Sequence, residues 1–205
     1  QWLRSPEPER FMSLAERPGF LRLTGKEALG SWFEQALVAR RQEAFCFTAE
    51  TCLEFQPTNF QQMAGLVSYY NKHKYHYLYV SVDEQGRRVI DIMSCEADST
   101  NVSSFPLAEG CARQFKLDNR FRLPDEGPVW LRAEVDHQAL QFSWSTDGEN
   151  WSNTPGVLNQ SLISDEAGEG EGASFTGAFI GMACQDISGQ NAPADFAYFE
   201  YREQQ

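Results

Sequence analysis

Apolar and polar positions alternate along much of this chain. Across 44–55, Phe45, Phe47, Ala49, Thr51, Leu53 and Phe55 fall on one parity, and Cys46, Thr48, Glu50, Cys52 and Glu54 on the other. A period of two sends successive side chains to opposite faces, so this stretch predicts a strand with one apolar side. Val129, Leu131, Ala133 and Val135 alternate with Trp130, Arg132, Glu134 and Asp136. Leu140, Phe142 and Trp144 resume the pattern after His137-Gln138, which predicts a hairpin with a short turn there. Ser145-Thr146-Asp147-Gly148 then carries an Asp-Gly turn signal before Trp151. Further strands are predicted over 20–23, 37–41, 62–70, 75–82, 88–95, 175–182 and 194–201. No segment holds a 3.6-residue period over three turns, and no internal repeat is visible. Many short strands punctuated by turns predict an all-β fold, a jelly-roll sandwich of two antiparallel sheets.

The 205 residues suit one large sandwich spanning 1–205, and 15 phenylalanines supply material for a core between two sheets. One stretch breaks the pattern. Residues 164–174 are rich in Gly and Glu and short of anything that packs, which predicts a long exposed loop of the kind that is often functional. The net charge of −12 would repel phosphate backbones, so nucleic acid is not an expected partner. No basic cluster invites an anionic membrane, and no apolar run approaches the ~20 residues of a span. Neutral partners such as sugars fit the charge balance. Gln1-Trp2-Leu3-Arg4 reads as the middle of a strand, so the chain is expected to start inside a longer protein. The five cysteines, Cys46, Cys52, Cys95, Cys111 and Cys184, are odd in number and form no CxxC pair. They are expected to be buried free thiols in a reducing cytoplasm, and their spacing predicts no zinc site. Asn-x-Ser matches at Asn101, Asn150 and Asn159 are read as chance.

Candidate chemistry is thin. Glu50 and Glu54 lie on one strand face, as the paired carboxylates of jelly-roll glycosidases do. Four strand residues separate them by roughly 13 Å, beyond the ~5–9.5 Å window in which such a pair works. A solvated strand face is the expected reading. Of the three histidines, His73 falls in a turn, Asn71-Lys72-His73-Lys74, and neither His76 nor His137 lies in a nucleophile-elbow context. A Cys–His pair stays open. Gly168, Gly170 and Gly172 are interleaved with acidic residues and precede no helix, so they do not read as a phosphate loop. Tyr75, Tyr77 and Tyr79 share one strand face. They would make a stacking platform for sugar rings if exposed, and ordinary sheet packing or a domain interface if not. Trp130 is a second platform candidate.

Five longer runs carry a resemblance. Pro18-Gly19-Phe20-Leu21-Arg22-Leu23 and Leu37-Val38-Ala39-Arg40-Arg41-Gln42 are the first two, and the third extends from Asn59-Phe60-Gln61-Gln62-Met63-Ala64-Gly65 through Leu66-Val67-Ser68-Tyr69-Tyr70-Asn71. The fourth begins Phe175-Thr176-Gly177-Ala178-Phe179-Ile180-Gly181-Met182, and the last is Ala194-Asp195-Phe196-Ala197-Tyr198-Phe199-Glu200-Tyr201. Together, in order and over nearly the whole chain, they resemble the C-terminal domain of glycoside hydrolase family 43 β-xylosidases. The resemblance implies a concanavalin A-like sandwich behind a five-bladed β-propeller. That propeller would carry the catalytic carboxylates, and it is missing from these 205 residues. The chain alone is therefore expected to be inactive. Its first strand is expected to be truncated.

The resemblance also implies a role for the Gly/Glu loop. In such enzymes the sandwich sends a loop with a Phe into the propeller's pocket. By motif that Phe is Phe175, flanked by Ser174 and Thr176. An aromatic wall there would shape a sugar pocket, exclude water and block longer chains, favouring release of xylose from the end of a xylo-oligosaccharide, or of arabinofuranose. The parent enzyme is expected to be a cytoplasmic homo-oligomer. No cofactor is expected, with calcium left open through Asp186 and Asp195. The rival reading is a carbohydrate-binding module without a catalytic role.

Overall fold

The computed structural model describes residues 7–31, 33–96, 113–114, 121–165, 167 and 177–204. Its strands are β1 (Met12–Ser13), β2 (Leu21–Thr24), β3 (Ala36–Arg41), β4 (Cys46–Phe55), β5 (Gln62–Asn71), β6 (Lys74–Val82), β7 (Arg88–Glu96) and β8 (Arg113–Gln114). The chain continues through β9 (Phe121–Arg122), β10 (Val129–Asp136), β11 (Ala139–Ser145), β12 (Ser152–Asn153), β13 (Leu158–Asn159), β14 (Phe179–Asp186) and β15 (Pro193–Glu203). The long strands fall where the alternation puts them. The predicted 175–182 strand is displaced: it is described only from Phe179, after Gly177 at φ 72, and runs on to Asp186. The opening residues 1–6 lie outside the described part.

Two antiparallel sheets result. One runs β1-β2-β15-β4-β10-β11-β12, with β13 also on β11; the other runs β3-β14-β5-β6-β7-β8, with β9 also on β7. Chain neighbours β5, β6 and β7 pair as a meander, whereas β14 enters between β3 and β5 from late in the sequence. The facing sides form the core. Phe47, Ala49, Leu53, Phe55, Leu131, Val135, Phe142 and Phe196 come from the first sheet, and Ala64, Leu66, Leu78, Val80, Ile90, Ile180 and Met182 from the second. Phe47, Leu53, Leu66, Leu78 and Phe142 are completely inaccessible. Fully burying each such side chain contributes about 1.5–3 kcal/mol.

The second sheet is buried on both faces, which explains why β6 is buried at every position from Lys74 to Val82. Its side away from the core holds a second cluster: Leu29, Leu37, Met63, Val67, Tyr69, Tyr75, Tyr77, Tyr79 and Phe179. At Gly65, on this same side, a Cβ would stand 2.0 Å from the Leu78 carbonyl oxygen, so β5 and β6 approach too closely there for any side chain.

Candidate functional site

Asp165 and Gly177 flank the Gly/Glu-rich stretch that the sequence singles out. An Asp165 carboxylate oxygen accepts the Gly177 N–H at 3.3 Å and the Tyr70 hydroxyl at 2.5 Å. Lys74 Nζ, at the start of β6, donates to the Ala167 carbonyl at 2.6 Å. Asp165 and Ala167 are thus tied to the ends of β5 and β6. Gly177 is required at this closure. Its φ is 72, and a Cβ would meet Arg41 Nη1 at 2.3 Å. The Arg41 guanidinium in turn lies 5.1 Å from the ring centre of Phe179, the first residue of β14. Phe175, Ser174 and Thr176 themselves lie outside the described residues.

Tyr75, Tyr77 and Tyr79 do share a face, but the rings are packed: 4%, 0% and 2% exposed. A stacking platform must be open to its sugar, so these rings form no open platform in the structure. Their polar tips are satisfied internally, as buried tyrosines require. Tyr77 donates to the Ala183 carbonyl at 3.0 Å, Tyr79 to Asp91 at 3.4 Å, and Tyr75 lies against the Met93 sulfur at 3.7 Å. Trp130 is half-buried, and a Cβ added at Gly148 of the 145–148 turn would stand 3.1 Å from its indole. His73 is in the β5–β6 turn as expected, with its N–H on the Asn71 side chain. His76 is a satisfied core histidine: Nδ1 meets Ser94 Oγ at 2.8 Å and Nε2 meets the Asn159 carbonyl at 3.2 Å.

Glu50, Glu54 and Asp195 are committed to ion pairs. Glu50 is not a freely solvated side chain as expected: it is 8% exposed, receives Arg132 Nε and Nη2 at 2.8 and 2.7 Å, and accepts the Tyr198 hydroxyl. The Arg132 guanidinium also lies flat over Trp151, 3.5 Å from its ring centre. Glu54 pairs with Arg17 at 2.8 Å, and Arg17 also reaches Asp195 at 2.8 Å. Arg22 grips Asp195 with two bonds of 2.7 and 2.8 Å. Partial burial pushes the Asp195 carboxyl up, but the bonds from Arg22 and Arg17 outweigh this and hold it below the usual carboxylate range. Asp186 spends its oxygens on Ser188, Gln62 and the Ala192 N–H. Asp186 and Asp195 thus belong to separate hydrogen-bond networks.

The cysteine expectation needs one correction. Among the described residues Cys46, Cys52, Cys95 and Cys184 are free, and the last three are buried; Cys46 is partly exposed. The pleat puts it on the outer face, where its Sγ lies 3.4 Å from Asp136 Oδ1 and 3.4 Å from His137 Nδ1. This is a Cys–His approach of the kind the sequence left open. Desolvation and the bond to Asp136 raise the Cys46 thiol above its ordinary value, so it is not poised as a nucleophile. Beside it opens a cleft of about 640 Å³ walled by Phe45, His137, Gln160, Leu162, Ile163 and Ala167.

Two antiparallel sheets closed over one aromatic-rich core define a concanavalin A-like β-sandwich. The chain belongs to the family of β-xylosidase C-terminal concanavalin A-like domains of glycoside hydrolase family 43, whose sequence model matches residues 1–202. It is 43% identical over 203 residues to xylosidase/arabinosidase 43B of Humicola insolens, a match covering 98% of this chain and 36% of that protein. It is 40% identical to a β-xylosidase of Bacillus subtilis, covering 99% of this chain and 36% of the relative. The crystal structure of xylan β-1,4-xylosidase from Bacillus halodurans superposes with a TM-score of 0.84 at 36% identity, over 97% of this chain and 35% of that one. The chain thus spans about a third of the length of these relatives. Among the described residues no helix is long and apolar enough to cross a membrane.

Proposed function

We propose that this chain is the accessory domain of an inverting, exo-acting β-xylosidase, with arabinofuranoside cleavage as a second activity of the whole enzyme. It packs on a catalytic propeller supplied by the rest of that protein. The segment 166–176 carries Phe175 to the rim of the propeller's pocket, with Ser174 and Thr176 beside it, and there walls in a xylo-oligosaccharide. The observation that supports this is the closure at Asp165: one carboxylate holds the Gly177 N–H and the Tyr70 hydroxyl, so the loop leaves the sandwich from a fixed base. The packed state of Tyr75, Tyr77 and Tyr79 weighs against the carbohydrate-binding-module alternative.

The test is Phe175→Ala in the full-length enzyme, followed by thermal unfolding and kinetics on an aryl β-xyloside. A pocket wall predicts a fall in kcat/KM with the unfolding temperature unchanged. A core phenylalanine would instead cost about 3–5 kcal/mol of stability, with kinetics per folded molecule unchanged, and that result would remove Phe175 from the pocket.

A further inference from the structure

Cys46 opens β4 and Asp136 ends β10, and the two are direct cross-strand partners. His137 is the next residue, first in the two-residue hairpin loop, at φ 54. Its N–H bonds the Phe45 carbonyl at 2.9 Å, and its ring lies parallel to Phe45, 6.4 Å between centres. Strand register, turn conformation and ring stacking therefore fix three different side chains at one corner of the sandwich.

Their donor atoms converge. Sγ to Oδ1 is 3.4 Å, Sγ to Nδ1 is 3.4 Å and Nδ1 to Oδ1 is 2.7 Å. A tetrahedral zinc ion, with Zn–S near 2.3 Å and Zn–N and Zn–O near 2.0–2.1 Å, sets ligand edges of about 3.5 Å from sulfur and about 3.3 Å between nitrogen and oxygen. The sulfur edges already have that length. Only the Nδ1–Oδ1 edge must open, by roughly 0.6 Å, which rotation of an exposed carboxylate supplies.

We propose that Cys46, Asp136 and His137 form a divalent transition-metal site of the zinc class. Thiolate and imidazole favour zinc over calcium or magnesium, and zinc also accepts a carboxylate oxygen. Three protein ligands leave a fourth position for water. In the metal-free form the Asp136 oxygen accepts from both the thiol and the imidazole. When the ion binds, the proton of neutral His137 sits on Nε2, which leaves Nδ1 free to coordinate. Cys46 enters as thiolate and loses its proton to solvent, so binding releases protons and strengthens with pH. The ion would clamp the start of β4 to the β10–β11 hairpin, at the edge of the cleft walled by Phe45 and Ile163. This site is independent of the accessory role proposed above.

The experiment is titration of the metal-stripped protein with Zn²⁺ and with Co²⁺, for the native chain and for Cys46→Ser, Asp136→Asn and His137→Ala. The native chain is expected to bind one equivalent that each variant weakens by about tenfold or more. Its Co²⁺ complex is expected to show thiolate-to-cobalt charge-transfer absorption that Cys46→Ser abolishes. Should a variant fail to fold, protection of Cys46 from iodoacetamide by Zn²⁺ in the native chain reads the same contact. A Co²⁺ complex without charge transfer, a zinc affinity unchanged from the native chain's in all three variants, or unprotected Cys46 would overturn the site.

Discussion

Asp165 and Gly177 stand 12 residues apart in the chain, and the carboxylate of the first accepts the backbone N–H of the second at 3.3 Å. The same oxygen takes the Tyr70 hydroxyl from the end of β5. One side chain thus joins Gly177 to Tyr70 of the second sheet. Asp165→Ala removes both bonds, whereas Asp165→Asn keeps a carbonyl oxygen that can accept them. In the full-length enzyme Asp165→Ala is expected to lower kcat/KM for an aryl xyloside by about tenfold, equivalent to roughly 1.4 kcal/mol, and Asp165→Asn to restore most of it. Equal kinetics per folded molecule in all three proteins would separate this loop from catalysis.

Tyr77 tests the packed face. Its ring is fully inaccessible and its hydroxyl donates to the Ala183 carbonyl on β14. Tyr77→Phe is expected to cost about 1 kcal/mol, and Tyr77→Ala about 3–5 kcal/mol, measured by denaturant unfolding. A stacking platform would give the reverse: unchanged stability and lost retention on xylan.

Stability should fall in acid. Asp195 carries a carboxyl held below the usual range, because the bonds from Arg22 and Arg17 outweigh desolvation. Asp147 is depressed further by the Asn150 side chain and the N–H groups of Asn150 and Glu149. A depressed folded-state pKa means that the unfolded chain binds the proton more readily. The stabilisation is therefore full above the ordinary carboxylate value of about 3.9 and is lost as pH falls through the folded value. Unfolding free energy is expected to drop steadily below pH ~4. The gap between the native chain and Asp195→Asn should narrow over that range, and a constant gap would show that the Arg22 and Arg17 pairs do not stabilise the charged form.

The thiols should separate by accessibility. Cys52, Cys95 and Cys184 are 7%, 3% and 1% exposed, and burial, with Glu54 and Glu50 nearby, pushes the Cys52 thiol up to about 11. With metal removed, iodoacetamide is expected to label Cys46 first in the folded protein and the other three only after unfolding. Mass spectrometry without reductant should then find all five cysteines of the chain, Cys111 included, labelled. A disulfide among them would contradict the reduced state and point to an oxidising compartment.

The alternation across 44–55 is enough to place Phe47, Ala49, Leu53 and Phe55 in the core, because a pleated strand has a side-chain period of two and one face must leave water. The parity of Tyr75, Tyr77 and Tyr79 is legible for the same reason. Whether that face meets water is not, since it depends on how much of the second sheet is covered, and no local pattern states that. Phe45 shows the opposite failure. Its parity assigns it to the core, yet it precedes the first residue of β4 and is 77% exposed, stacked on His137.

By itself the sequence determined the strands, the hairpin at His137-Gln138, the two-sheet class and, through its longer runs, the family. These depend on neighbours a few residues apart, whose preferences are written locally. Only the tertiary structure decided that Cys46 meets His137 across 91 positions, that Glu50 is held by Arg132 across 82, and that Asp165 closes on Gly177. Such contacts follow from strand register and loop closure, which are set when the whole chain packs. A thiol, a carboxylate or an imidazole carries no mark in the sequence of the partner it will be brought against.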